Sequence, residues 1–254
     1  MKALPFTALV ICAGIHAPAQ TTTTQRDPQA LALLTQSLTA MLKNRPIQDM
    51  MVGAQVTRIA GSSEDSGSAT LEAAAYDKTN ASLAFTSGTQ REIRNGGAGD
   101  WSGPDGQNHA IALHNTWTTG AWFAPALVIQ SWIQDSSFSL AYVGQEQHDG
   151  NAVQHVRASR SVSGDVQIAA LSATDLYLDV KTLLPTALAF NTHPDNDLGV
   201  NLAVQVTYAG YQTFGGLVAP ARIQQFLQGS LFLDLSVTAT KANNGFGPGD
   251  FQLP

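Results

Sequence analysis

The feature that most constrains this fold is a series of short runs in which apolar and polar residues alternate, separated by turn-forming residues. Val52, Ala54 and Val56 alternate with Gly and Gln, which is typical of a strand with one buried face. In this part of the chain, strands are predicted over 47–60, 70–76, 81–85 and 90–94, with turns over 61–67 and 77–80. Strands that follow one another through short turns favour an antiparallel meander.

Two segments have helical spacing instead. Asp27-Pro28 fits the N-cap and first position of a helix, and leucines follow at helical intervals, so a helix is predicted over 28–43. A second helix is predicted over 123–134, with Pro125 tolerated in its first turn. Between the helices, residues 95–108 contain five glycines, one proline and two aspartates, which predicts a loop.

The second half of the chain continues the strand pattern. Asp149-Gly150 predicts a hairpin turn, because this pair suits positions that need positive φ. Strands are predicted over 139–147, 152–160, 175–180, 184–191, 202–211, 217–228 and 230–241. With no repeat of fixed period and no clean boundary, residues 27–254 are predicted to be a single β-rich domain.

The N-terminus predicts export. A basic start at Lys2, an apolar run over 4–15 and the small residues 17–19 have the layout of a secretory signal peptide over 1–19. Cleavage is predicted after Ala19, and the Thr-rich residues 20–26 are predicted to be a disordered N-terminus. These features predict a periplasmic or extracellular protein.

Charge and cysteine usage exclude several classes of function. The net charge is −6 and only 13% of residues are charged, about half the usual 25%, which disfavours nucleic acids and anionic membranes. The only cysteine is Cys12, inside the predicted signal peptide, so the exported protein is expected to have no disulfide. The large residues Val10-Ile11 before it disfavour a lipoprotein anchor, and no transmembrane segment is predicted.

The C-terminal residues carry a family resemblance. A strand containing Gly216 and Pro220 is followed by a turn at Gly229, a last strand, the sequence Asn243-Asn244-Gly245 and a closing Phe251. This order resembles the end of LolA-like periplasmic proteins, which include lipoprotein carriers, mycobacterial lipid-binding lipoproteins and sigma-factor regulator sensor domains. The resemblance implies an α+β fold: an antiparallel unclosed β-barrel, or half-barrel, with an N-terminal helix and a helical lid over an apolar cavity.

A second resemblance covers the whole chain. Segments 57–61, 91–96, 100–106 and 122–125 resemble those of uncharacterised exported acidobacterial-type proteins. That resemblance implies no function.

An apolar ligand site is the specific functional hypothesis. Trp117, Trp122, Phe123, Leu127 and Trp132 cluster in one segment and are predicted to line a cavity beneath the lid, where a lipid or acyl chain would bind. The alternative is that they form a filled core beneath a helix. The protein is predicted to be monomeric: a carrier or sensor of that ligand in the first case, and an envelope module that binds another protein in the second.

Other chemistry has weaker support. The pairs His109 and His114, and His148 and His155, lack the spacing of a zinc site. Residues 195–199 alternate oxygen donors with a glycine but lack the bidentate acidic residue of a calcium loop, so a polar turn is expected there. No nucleophile-elbow motif is present, which leaves a hydrolase only with a triad assembled in space. The sequence therefore predicts a non-enzymatic protein without cofactor or metal.

Overall fold

An antiparallel sheet of 13 strands organises the molecule. The computed structural model describes residues 25–161 and 165–254. The strands are β1 (Met50–Ala60), β2 (Ser63–Ala75), β3 (Lys78–Phe85), β4 (Gly88–Asn95), β5 (Ala98–Ser102), β6 (Asn108–Ala110), β7 (Phe138–His148), β8 (Asn151–Arg160), β9 (Thr174–Asp179), β10 (Pro185–Thr192), β11 (Leu202–Ala209), β12 (Gln212–Phe214), β13 (Leu217–Ala219), β14 (Arg222–Leu227) and β15 (Ser230–Ala242). The helices are α1 (Pro28–Leu42), α2 (Pro125–Gln134) and α3 (Val166–Leu171), with 3-10 turns at Leu113–Trp117 and Pro248–Phe251.

The strand order shows an open sheet. Across the sheet it is β6-β5-β4-β3-β2-β1-β15-β14-β11-β10-β9-β8-β7, and β12 pairs separately with β13. Strands β6 and β7 follow each other along the chain but lie at the two edges of the sheet. The sheet therefore curves without closing into a barrel. The first and last strands, β1 and β15, are neighbours. The fold is thus an α+β half-barrel, as predicted.

The two long helices cover one face of the sheet, called here the inner face. On β1, Met50, Val52, Ala54 and Val56 are buried and alternate with less buried residues, as expected for a strand with one face against the core. α1 and α2 pack against each other and against β7 and β2. The opposite face of the sheet is called the outer face.

The predicted helices are confirmed. The Asp27 side chain accepts hydrogen bonds from the N–H groups of Gln29 and Ala30, Pro28 occupies the first turn, and Lys43 ends α1 in the left-handed conformation. These are the local features that start and stop a helix. α2 begins at Pro125, within the range predicted from spacing.

The predicted loop over 95–108 is confirmed for residues 96–97 and 103–107 and wrong for the other half, which is strand. Gly96 and Gly97 form a two-residue turn, since Asn95 pairs with Ala98, and β5 and β6 follow. Gly99 pairs with Arg94 in β5, and a glycine fits there because a Cβ would press on the side chain of Ile111 and the carbonyl of Ile93. Gly96, Gly97 and Gly99 therefore serve a tight turn and close packing between strands, whereas Gly103 and Gly106 lie in the loop between β5 and β6.

Several strand boundaries also differ from prediction. The predicted turn over 61–67 is mostly strand: Ala60 pairs with Ser63, so only two residues turn and the polar residues after them form the exposed end of β2. The predicted strand 217–228 is divided into β13 and β14, and the short helix α3 was not predicted. The turn at Gln228-Gly229 is confirmed, with φ of 51° and 77°.

The C-terminal loop is fixed by one buried carboxylate. Asp49, 3% exposed, accepts hydrogen bonds from the N–H groups of Asn244, Gly245 and Phe246 and from the Asn244 side chain. Asn243 accepts from the Gln48 N–H. The Asn-Asn-Gly sequence therefore turns the chain so that the final 3-10 turn packs on β3 and β4.

The predicted signal peptide, its cleavage site and most of the predicted disordered stretch lie outside the described residues. The end of that stretch is described and is held in place. Arg26 forms a parallel bridge with Leu140, and its guanidinium donates to the carbonyls of Trp132, Ile133 and Asp135 at the end of α2. Among the described residues, none of the helices combines the length and apolarity that crossing a membrane requires.

Candidate ligand site

The candidate site is formed where residues 113–124, called here the crossing segment, pass over the inner face. The segment joins β6 to α2 and is hydrogen-bonded to both halves of the sheet, one running from β6 to β1 and the other from β15 to β7. The Ala121 N–H donates to the Tyr76 carbonyl, the Thr119 hydroxyl lies 3.1 Å from that of Thr174, and the Tyr208 hydroxyl donates to the Trp122 carbonyl at 2.5 Å. The segment therefore spans the half-barrel.

Arg94 holds the start of the crossing segment. From β4, its Nη1 donates to the carbonyl of Asn115 at 2.9 Å and to the hydroxyl of Thr118 at 2.9 Å, and its Nε donates to Glu92 at 2.7 Å. Asn115 in turn accepts from the N–H of His193, beyond β10. These hydrogen bonds satisfy buried polar groups of the crossing segment.

Beside the crossing segment, the inner face leaves a cleft of about 350 Å³, called here the inner cleft. Large apolar side chains from both halves of the sheet and from the crossing segment line it: Leu83, Trp101, Trp122, Phe190, Leu227 and Phe232. Trp101 and Leu227 are 42% and 37% exposed, so the cleft opens to solvent. The volume lies at the lower end of the range for small-molecule sites.

Polar side chains also line the inner cleft. They include Gln90, Arg91, Glu92, Arg94, Thr118 and Gln225. The Glu92 carboxylate pairs with Arg94 at 2.7 Å, so the two charges compensate each other. Arg91 Nε donates to the neutral Asn80 side chain at 3.0 Å. The site is therefore an apolar surface edged by neutral hydrogen-bonding groups and the Arg91 cation.

The five residues predicted to bind ligand are not brought together in one cavity. Trp122 lines the inner cleft. Phe123, Leu127 and Trp132 are each 1% exposed and belong to the packed core. Trp117 lies apart, where the guanidinium of Arg160 is 5.4 Å from its ring.

Arg160 explains the position of Trp117. Its guanidinium lies 5.4–5.7 Å from the rings of Trp117, Tyr76 and Phe138, within the range of cation–π attraction. Trp117 thus contributes to a cluster that joins the crossing segment to β7 and β8.

The space directly beneath α2 is almost filled. A void there, lined by Met41, Met50, Phe123 and Leu217 among others, has a volume of about 10 Å³, at the limit of what one water needs. The space for a ligand is therefore the inner cleft beside the crossing segment, and not the predicted cavity beneath α2.

Of the apolar residues that line the inner cleft, reasoning from the sequence identified only Trp122. Leu83, Phe190 and Leu227 belong to predicted strands, but their shared cavity depends on strand order. Trp101 lay in the segment predicted as a loop. The indication in the sequence that Trp101 could contribute to a site was its position as a large aromatic residue between Gly99 and Gly103.

The histidines and aspartates occupy structural positions. His155 Nε2 lies 2.7 Å from Asp175 and its Nδ1 lies 3.0 Å from Glu146, so both ring nitrogens face carboxylates and neither is placed against a serine hydroxyl. Asp197 accepts from the Gly199 N–H, which makes residues 195–199 a turn. Residues 25–161 and 165–254 contain no group of three or more His, Cys, Asp or Glu side chains that could hold a metal ion.

Comparison with known proteins identifies the fold. No family model matches the chain, and no curated protein sequence matches it. A solved structure of an outer membrane lipoprotein-sorting protein domain from Vibrio parahaemolyticus, so named provisionally, is 12% identical, with a TM-score of 0.55 over 88% of this chain and 96% of that one. A LolA superfamily protein from Nitrosomonas europaea is 12% identical, with a TM-score of 0.55 over 88% and 97% of the two chains.

A third solved structure agrees. A DUF1329 family protein from Desulfovibrio piger is 12% identical, with a TM-score of 0.54 over 90% of this chain and 98% of that one. The chain therefore has the LolA-like fold: an unclosed antiparallel half-barrel with covering helices. The further resemblance to exported acidobacterial-type proteins stays a prediction.

Proposed function

We propose that this protein is an exported, non-enzymatic carrier or sensor that binds an acyl chain or another apolar ligand in the inner cleft. The observation that supports this function most is the cleft itself, where apolar side chains of two sheet halves meet Trp122. The sequence of the N-terminus supports export to the periplasm or beyond. We further propose that residues 27–254 act as one monomeric domain, because β1 and β15 pair along their length.

Apolar burial would provide the affinity. A ligand segment that loses about 200 Å² of apolar surface gains roughly 5 kcal/mol at about 25 cal/mol per Å². Losses of motional freedom on association offset much of this gain. Weak, exchangeable binding is therefore expected, which suits a carrier or sensor better than a permanent lipid store.

A second candidate function is a protein-interaction module of the cell envelope. The nearly filled space beneath α2 favours it, because a core closed to ligands leaves the surface as the functional part. No catalytic role is proposed for either candidate.

The four tryptophans provide an internal test. Trp101 and Trp122 line the inner cleft, whereas Trp132 is buried in the core and Trp117 contacts Arg160. The purified protein would be titrated with a medium-chain fatty acid brominated near its methyl end, because bromine quenches tryptophan emission at contact. We expect saturable quenching.

Matched variants locate the site. Quenching should be mostly lost in the double variant W101F/W122F and retained in W117F. Absence of saturable quenching would refute ligand binding by this protein. Quenching that persists in W101F/W122F would refute the inner cleft as the site. Solvent extraction of the purified protein, followed by mass spectrometry, would separately reveal a co-purified lipid, and an empty extract would favour the interaction module.

A further inference from the structure

A second and larger depression lies on the outer face, and it shares Phe190 and Val204 of β10 and β11 with the lining of the inner cleft. It has a volume of about 860 Å³ and is called here the outer groove. Ala189 and Ala203 on neighbouring strands β10 and β11 line its floor. Because alternate residues of a strand point to opposite faces, the buried Leu188 and Val204 face the core while these small residues leave room outside.

The tip of the β7–β8 hairpin bounds the groove on one side. Asp149 Oδ2 accepts a hydrogen bond from Gln205 Nε2 at 2.6 Å, although Gln205 lies on β11, three strands away from β8. The His148 ring stacks on Tyr177 with 3.7 Å between centroids. The hairpin tip therefore reaches over β9 and β10 instead of continuing the sheet. The hairpin tip thus forms one side of the groove, a feature that an ordinary exposed sheet face lacks.

The charges in the groove compensate one another. Arg157 donates to both oxygens of Asp175, at 2.7 and 2.9 Å, and His155 contacts the same carboxylate at 2.7 Å. Burial by itself would raise the pKa of Asp175, but these hydrogen bonds outweigh it and hold the pKa below its ordinary value. The Arg157 charge is thereby committed to Asp175, which leaves little to attract an anionic ligand.

Several hydrogen-bonding groups of the groove lack a partner in the part of the chain that the structure describes. Within the described residues, the side-chain amides of Gln167 and Asn191 make no hydrogen bond, and both residues are exposed. His193 also lines the groove and is only 6% exposed. Its Nδ1 lies 3.0 Å from the Val200 carbonyl, but its buried Nε2 has no partner among the described residues. Because this nitrogen has almost no accessible surface, a ligand in the groove would meet the exposed amides of Gln167 and Asn191 instead.

We propose that the outer groove binds a neutral, hydroxyl-rich ligand of the saccharide class. Planar amides at Gln167 and Asn191 both donate and accept, as hydroxyl groups require. The partly buried ring of Phe226, also in the lining, offers an apolar surface for the carbon–hydrogen face of a sugar ring. A fatty acid would leave the amides unpaired, and a phosphate would find no uncommitted cation among these residues.

The proposal is independent of ligand binding in the inner cleft and is tested on the intact purified protein. Two neutral probes, triacetylchitotriose and maltotriose, would be titrated by calorimetry or NMR, together with inorganic phosphate. We expect at least one saccharide to bind with a Kd below about 10 mM, and phosphate not to bind. Acetamido-specific binding would indicate a cell-wall glycan, and binding of both saccharides a general polyhydroxyl site.

A double variant and a matched control place the binding. Because Gln167 and Asn191 are exposed, Q167A/N191A should fold normally and bind about tenfold more weakly, a loss of about 1.4 kcal/mol. Gln55 is an exposed amide on β1 outside the groove, so Q55A should bind as the wild type does. Failure of both saccharides to bind, binding of phosphate instead, or equal affinity in Q167A/N191A would overturn the proposal.

Discussion

Asp49 offers the sharpest test of how the C-terminal loop is held. Its carboxylate accepts from the Asn244 N–H at 2.6 Å, from the Asn244 side chain at 2.8 Å and from the Gly245 N–H at 2.9 Å. A fourth contact, from the Phe246 N–H, is longer at 3.3 Å. The change D49N keeps the size of the side chain but places an NH2 group where one of the carboxylate oxygens now accepts.

The expected cost follows from these bonds. Hydrogen bonds to a charged group each contribute about 1.5–3 kcal/mol, but they are not additive and water reaches part of the loop. We expect D49N to lower the free energy of unfolding by about 3 kcal/mol. At about 2–4 °C per kcal/mol for a protein of this size, the melting temperature should fall by roughly 6–12 °C.

The pH dependence has a definite sign. Burial would raise the pKa of Asp49, but the hydrogen bonds from Asn244, Gly245 and Phe246 outweigh it and hold the pKa below its ordinary value. The stabilisation is therefore fully present above the unfolded-state pKa of about 3.9 and is lost as pH falls through the lower folded-state pKa. The difference between wild type and D49N should shrink in that acidic range.

The assay is urea unfolding followed by circular dichroism at neutral and acidic pH. Asp195 is exposed, and D195N is the matched control, which should unfold within about 0.5 kcal/mol of the wild type. If D49N were as stable as D195N at neutral pH, or if its deficit grew on acidification, the argument that Asp49 holds the loop would be refuted.

Three further changes test other parts of the fold. R26A removes the guanidinium that donates to three carbonyls at the end of α2 and should cost about 2 kcal/mol; an unchanged melting temperature would contradict this role. G67A should cost more than about 3 kcal/mol in urea unfolding, because a Cβ there would overlap the backbone of Ala84. At Gly97 a Cβ meets open space, so the control variant G97A should be nearly neutral. Equal stabilities of the two variants would contradict the packing of β2 against β3. The pKa of Asp175 is held low by Arg157 and His155 against the effect of burial. The contribution of Asp175 to stability is therefore present above about pH 4 and is lost as the pH falls through its folded-state pKa. D175N should reduce this loss of stability at acidic pH, and an unaltered dependence of unfolding free energy on pH would argue against the ion pair.

Local residues determined most of the secondary structure. The N-cap at Asp27, the proline at Pro125 and the Asp149-Gly150 turn act within a few residues of themselves, so the two long helices and the β7–β8 hairpin could be predicted. The glycine-rich stretch could not, because composition does not distinguish a loop from tight turns between strands. That distinction depends on whether a neighbouring strand is present to pair, which β4 and β6 provide for β5.

The candidate site was predicted only in part. An aromatic segment near the lid was recognised, and Trp122 lines the inner cleft. The helical spacing of residues 123–134 cannot indicate whether the apolar stripe meets a cavity or a packed core, because both bury the same residues. Only the packing of α1 and α2 against the sheet shows that Phe123, Leu127 and Trp132 are core residues.

By itself, the sequence determined the alternation that makes strands, the caps that limit the helices and the low charge that disfavours nucleic acids. The tertiary structure alone decided which strands became neighbours, and so brought Leu83 and Phe190 into the lining of one cleft and placed Gln205 beside Asp149 at the outer groove. The physical reason is range: caps and turns act through bonds between residues close in sequence. A cavity is the space left between side chains that are far apart in sequence, and it exists only after the sheet has curved and the helices have packed.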